Sequence, residues 1–250
     1  MAKPLLVSLA ALLMLGGCAG TVATSSTSPA AQALVAAALA DPQRPAADRD
    51  RDADRLPAQL IAFSTLKPGD KVAELAPGGG YFTRILSGAV GPDGRIYPML
   101  GRPSPVIADY AASHPNVVPV AISAGEVNPP EPVDMVWTTL NYHDFKNNKT
   151  GGSDAAQLTN AAAFKALKPG GIYFIVDHQA APGAGASQTS TLHRVEDALV
   201  KQEVLAAGFV LDGQSQLLSH PADDHSLRVQ ETGIRGKTDQ FILRFRKPGR

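Results

Sequence analysis

Two short stretches of this chain carry the side chains best suited to acid–base chemistry: Asn141-Tyr142-His143-Asp144 and Asp177-His178. An imidazole titrates at about 6.5, so His143 is largely neutral at pH 7 and able to take a proton. The adjacent Asp144 would orient the ring, Tyr142 would offer a flat face for an acceptor ring, and Asn141 a hydrogen bond to acceptor or cofactor. Asp177 and His178 read equally well as caps of a loop, and His193-Arg194 as part of a helix face packed on it. A further polar run, Ser219-His220-Pro221-Ala222-Asp223-Asp224-His225, reads as a loop between strands with the makings of a lid. The last signal lies in the backbone: Glu74-Leu75-Ala76-Pro77-Gly78-Gly79-Gly80-Tyr81-Phe82-Thr83. Glycines there let the chain turn sharply and approach a ligand with no β-carbon between, while a helix start offers unpaired N–H donors.

What must position these residues is an alternation of strand and helix patterns. Strand candidates run over Lys71–Leu75, Arg95–Leu100, Asn116–Val120, Val133–Leu140, Ile172–Val176, Phe209–Leu211 and Phe241–Arg246. Between them lie helical patterns at Tyr81–Val90, Val106–His114, Ala155–Leu167 and Thr191–Ala207, the first with Phe82, Ile85 and Leu86 on one face. Mostly apolar strands alternating with helices predict an α/β fold built on one largely parallel sheet covered on both sides. In such sheets ligands lie beyond the carboxyl ends of the strands, which is where the glycine turn and both polar stretches fall.

The 250 residues hold 23 basic and 23 acidic side chains, so no global field draws in a nucleic acid or an anionic bilayer, and no nucleic-acid partner is expected. One cysteine excludes an intrachain disulfide and a cysteine-rich zinc site. At the start, Leu5–Leu15 is apolar but shorter than the roughly twenty residues that span a bilayer, and it reads as a secretory signal. Residues 1–17 are then a signal peptide, 18–28 a small-residue tether, 29–66 N-terminal helices and 67–250 the main domain. Pro29–Ala40 is a helix stopped by Asp41-Pro42. The charges from Asp48 to Arg55 read as a solvated helix face, the alternative being that Arg51 or Arg55 folds over a ligand site.

Three segments occur in order and at fitting distances: Glu74–Gly80, Leu167-Lys168-Pro169-Gly170-Gly171 and Ala207-Gly208-Phe209. Together they resemble the class I S-adenosylmethionine-dependent methyltransferases, from about Lys67 onward. Asn141-Tyr142-His143-Asp144, Asp177-His178, Leu192-His193-Arg194 and Arg235-Gly236-Lys237-Thr238-Asp239 look more narrowly like a bacterial family called predicted methyltransferase, in a match that includes the segment from Arg44. Leu15-Gly16-Gly17-Cys18 resembles the lipobox of bacterial lipoproteins.

These resemblances imply a Rossmann-like, doubly wound, seven-stranded and mostly parallel sheet with a C-terminal antiparallel strand and an N-terminal helical cap. They imply S-adenosylmethionine as cofactor, held by Glu74, Ala76, Gly78, Gly80 and Asn141, with Ala76 where a first glycine is usual. His143 is the expected base, with Asp144 and Tyr142 beside it, and the acceptor an unidentified small molecule. No resident metal is expected, although Asp144, Asp177 and Asn141 resemble the oxygen ligands of magnesium-dependent catechol-type methyltransferases. Cys18 would carry lipid and anchor an exported, periplasmic-side protein, with Ala19 favouring the outer membrane. The pattern fixes no oligomeric state.

One departure stands out. The family carries a carboxylate for the ribose after its second strand, and here the stretch is Tyr97-Pro98-Met99-Leu100-Gly101-Arg102. That gap, together with export away from the cytoplasm where the donor is made, supports a second reading: a binding protein whose fold has lost its donor. A third is an NADP-dependent oxidoreductase with Arg102 on the 2′-phosphate, weakened because Thr83 stands where the third glycine would be.

Overall fold

The structure is a computed structural model and describes residues 28–249. Cys18, the signal peptide and nearly all of the tether lie outside the described residues. Four N-terminal helices, α1 (Pro29–Ala40), α2 (Ala46–Arg49), α3 (Asp52–Arg55) and α4 (Pro57–Ser64), precede β1 (Lys71–Leu75), α5 (Tyr81–Val90), β2 (Arg95–Leu100) and α6 (Pro105–Ser113). Then come β3 (Val120–Ala121), β4 (Val133–Thr139), α7 (Tyr142–Asn147), the hairpin strands β5 (Lys149–Thr150) and β6 (Ser153–Asp154), and α8 (Ala155–Ala166). The chain ends with β7 (Leu167–His178), α9 (Asp197–Ala206), β8 (Val210–Ser215) and β9 (Gln240–Arg246).

Seven strands form one sheet in the order β3-β2-β1-β4-β7-β9-β8, with β9 antiparallel to both neighbours and the remaining pairs parallel. This is the expected Rossmann-like arrangement. Because side chains alternate along a strand, the sheet has two cores. Val72, Met135, Trp137, Phe174 and Ile242 face Leu60, Ile61, Phe82, Ile85 and Leu86 of α4 and α5. Ala73, Val136, Tyr173, Ile175 and Leu243 face Ala156, Ala163, Val200 and Val204 of α8 and α9. In the first core the Trp137 ring lies between Phe82 and Phe174, with centroids 5.1 and 4.4 Å away. Helix α1 packs on α5 where Gly88 leaves room: a β-carbon there would sit 2.6 Å from that of Ala38.

The structure departs from the sequence pattern in three places. The third strand pairs only at Val120–Ala121, preceded by a single bridge from Val117 to Ile96. The fifth starts at Leu167 and runs through Lys168-Pro169-Gly170-Gly171, which the ladder tolerates as an irregularity between the pairs Val133–Leu167 and Met135–Ile172. Helix α9 begins at Asp197, so Thr191–Glu196 is a loop, with Val195 N–H donating to the His178 carbonyl.

A fourth difference corrects the solvated-face reading of Asp48–Arg55. Asp48 is buried and paired with Arg84 of α5 and Arg51, while Asp52 accepts two bonds from Arg44 at 2.8 and 2.7 Å and the Tyr81 hydroxyl at 2.7 Å. The guanidinium carbons of Arg51 and Arg55 lie 4.9 and 4.4 Å from the Tyr81 ring centre. The charge run is a clamp that fastens the N-terminal helices over the start of α5. Among the described residues no helix is long and apolar enough to cross a membrane.

Candidate active site

The turn after β1 bends through left-handed backbone at Ala76 (φ 49°), Gly78 (φ 57°) and Gly80 (φ 80°) before α5 begins. At Ala76 that geometry is held from outside: the Asn141 side-chain amide donates to the Ala76 carbonyl at 3.1 Å and to that of Thr139 at 2.7 Å. Asn141 therefore ties the end of β4 to the glycine turn. A β-carbon at Gly78 or Gly79 would meet nothing within 4 Å, so the bend opens onto free space, whereas one at Gly80 would come within 2.9 Å of Arg84.

Beneath the turn, Glu74 is buried and accepts a 2.6 Å bond from the Thr83 hydroxyl. Burial pushes its carboxyl up to about 7, against the pull of Thr83, Arg84 and Arg55. Arg55, half-buried over the Tyr81 and Phe82 rings, is pushed down to about 10 by burial and by neighbouring Arg51. Among the described residues no carboxylate lies within ion-pair distance of its guanidinium, which lines a small cavity with Leu60, Phe82, Leu140 and Val176. The open bend at Gly78 and Gly79 leaves room for the amino-acid end of S-adenosylmethionine. The ribose end fits less well: Leu75 pairs with Met99, so the chain beyond β2 passes beside the turn, and no acid follows β2 until Asp109.

At the next strand ends the register of β4 on β7, Thr139 opposite Val176, brings α7 against Asp177. Asp177 is fully buried, and its Oδ1 accepts from the His143 ring Nδ1 at 2.8 Å and from the His178 N–H at 2.7 Å. Its Oδ2 accepts from the His143 N–H at 2.8 Å. A carboxylate only accepts, so His143 carries its proton on Nδ1 and presents a lone pair at Nε2. Burial opposes a charged ring here, yet the charge and hydrogen bond of Asp177, with Asp144 behind them, hold His143 above its usual value. Nε2 faces Nδ1 of His193 at 3.2 Å, and Nε2 of His193 takes a bond from Arg228 at 3.0 Å. The half-exposed Asp144 completes a triangle, with Oδ1 3.4 Å from His143 Nε2 and 3.5 Å from His193 Nδ1.

Several expectations change. Tyr142 cannot stack on an acceptor, because its ring is wholly buried and its hydroxyl donates to Glu203 and accepts from Asn160, both at 2.8 Å. Asn141, Asp144 and Asp177 do not form an oxygen cage: Asp177 is spent on His143, and the Asn141 amide is turned to the glycine bend. His193 and Arg194 lie on a loop, not a helix face, with Arg194 fully buried against Asp223 at 2.8 and 3.1 Å. That bond fastens the stretch read as a lid to the loop carrying His193, and the pairing of His225 with Asp239 at 3.1 Å ties the same stretch to the start of β9. His193, Arg228 and the pairing of Asp177 with His143 were not legible as site features, since all depend on contacts across 34 or more residues.

No family model matches the chain, and no curated protein sequence matches it. Solved structures match its fold. A SAM-dependent methyltransferase from Aquifex aeolicus aligns at 16% identity and TM-score 0.56, over 76% of this chain and 88% of that one. The N-methyltransferase NodS from Bradyrhizobium japonicum aligns at 14% identity and TM-score 0.55, over 80% and 98%. The [4+2]-cyclase SpnF aligns at 17% identity and TM-score 0.57, over 79% and 82%. The architecture is therefore the Rossmann-like methyltransferase fold. Within it, the glycine bend and the histidine–carboxylate triangle occupy adjacent strand ends.

Proposed function

We propose that this chain transfers a methyl group from S-adenosylmethionine to a small-molecule acceptor activated at the cluster of His143, Asp144 and His193. The observation that carries the reading is the open bend over Gly78 and Gly79, joined through Asn141 to that cluster. A sulfonium, when bound, supplies a methyl group that leaves sulfur with no further activation. The protein's task is then to align the two reactants in line and to raise the nucleophilicity of the acceptor.

Each residue has a part in this. Backbone at Gly78 and Gly79 admits the donor, and Asn141 holds the bend through the Ala76 carbonyl. His143, steered by Asp177, presents an Nε2 lone pair to the acceptor side, and that lone pair can take a proton or a cation. Calorimetry with S-adenosylmethionine, S-adenosylhomocysteine and NADP tests the assignment. The first two should bind, and Gly78→Asp should weaken both at least tenfold, because a side chain at φ 57° is strained and projects into the open space. Binding of NADP alone, or unchanged affinity in Gly78→Asp, would refute it.

The N-terminal segment supports an exported lipoprotein, lipidated at Cys18 and held on the periplasmic side of the outer membrane. In cells, labelled palmitate should enter the wild-type chain and not Cys18→Ser; equal label in both would remove the anchor.

A further inference from the structure

We propose that His143, Asp144 and His193 form a three-ligand site for one divalent transition-metal ion of the zinc class. The three facing atoms, Nε2 of His143, Oδ1 of Asp144 and Nδ1 of His193, stand 3.2, 3.4 and 3.5 Å apart. Zinc bonds of about 2.0–2.1 Å at tetrahedral angles place neighbouring ligand atoms about 3.3 Å apart, so the triangle has the size of one face of such a site. Two imidazoles and one carboxylate suit zinc and its neighbours in the first transition row; magnesium and calcium call for six or more oxygens.

The surroundings are those of a ligand set. Asp177, fully buried, holds the Nδ1 proton of His143 and so points the Nε2 lone pair into the triangle, as the carboxylate behind a zinc-bound histidine does. Two carboxyl groups, Asp144 in the triangle and Asp177 behind His143, stand at the place where a dication would sit. Asp144 is half exposed, which leaves the fourth position open to an incoming molecule, the mark of a catalytic rather than a structural site. The cost of loading is small. Without metal, His193 donates from Nδ1 to His143 and accepts from Arg228 at Nε2; with metal, its proton moves to Nε2 and the exposed Arg228 swings into solvent. Two residues N-terminal to His143, Asn141 is bonded to the glycine bend, so the open position lies beside that bend.

In the methyl-transfer reading, on which this consequence rests but the site itself does not, the metal takes the Nε2 lone pair and replaces a general base. A hydroxyl acceptor bound at the open position would lose its proton to solvent near neutral pH, as zinc-bound water does, and as the alkoxide attack the sulfonium methyl, forming the O–CH3 bond while the S–CH3 bond breaks and S-adenosylhomocysteine leaves with the electron pair.

The full chain, stripped with a chelator and dialysed, is titrated with Zn²⁺ by calorimetry and with Co²⁺ by visible absorption. One zinc per chain is expected, together with the intense ligand-field bands of four-coordinate cobalt. His193→Ala and Asp144→Ala, both on the accessible side, should each weaken zinc at least a hundredfold with the circular dichroism unchanged. Asp177→Asn should weaken it about 10–100-fold at the same stoichiometry. His220→Ala should change nothing. Absence of stoichiometric zinc, or wild-type affinity in both His193→Ala and Asp144→Ala, would overturn the site. Titration of the stripped chain with S-adenosylmethionine separates the two proposals: donor binding without zinc binding sinks the metal alone, and zinc binding without donor binding sinks methyl transfer alone.

Discussion

Thr83 donates its hydroxyl to Glu74, a carboxyl group shut off from water beneath the glycine bend. Its ordinary value is 4.5, and burial raises it to about 7 against the pull of Thr83, Arg84 and Arg55. Between those values the folded chain keeps a proton that the unfolded chain releases. The protonated acid's contribution is therefore fully present below about pH 4.5 and is lost as pH rises to about 7. At about 1.4 kcal/mol per tenfold change in proton affinity, this amounts to about 3 kcal/mol. Glu74→Gln should flatten the fall, which urea midpoints at pH 5 and pH 8 would measure; an equal fall in both proteins would clear Glu74. That Gly78 belongs to a turn of special geometry just after Glu74 could be read from the local sequence alone, since three glycines after an apolar strand admit few other conformations. That Tyr142 turns inward could not, because its partners Asn160 and Glu203 lie 18 and 61 residues away.

Elements whose cause is local were legible: α5 and β2 keep their expected limits because apolar period and flanking glycines agree. Elements decided by distant contacts were not. The pattern from Thr191 to Glu196 is helical, but Arg194 is drawn into a buried pair with Asp223, and the loop that results carries His193 to His143. Helix α7 has 6 residues, too few for a period to show. The charge run from Asp48 alternates as a solvated helix would, and it is the buried Arg84 and the Tyr81 side chain opposite it that make it a clamp. Asp48→Ala leaves that guanidinium buried without its carboxylate and should cost about 3–5 kcal/mol, seen as a lowered denaturant midpoint. A loss under 1 kcal/mol would return the segment to a surface role.

For the molecule as a whole, alternation of strands and helices was enough to anticipate the sheet and the end of it at which the glycine bend and both polar stretches fall, because right-handed crossovers leave few alternatives. What alternation could not convey is which side chains meet at that edge. The order of strands has its own consequence. Strand β9 is laid between β7 and β8, so the segment that follows β8 in the chain supplies an interior member of the sheet. A chain ending at Asp239 should give no cooperative melting transition and should be digested by protease at once; a sharp transition would show the other six strands of the sheet to be self-sufficient. With β9 absent, β8 has no neighbour in the sheet and the exposed side of β7 is left without a partner, so the docking of this one strand closes the fold.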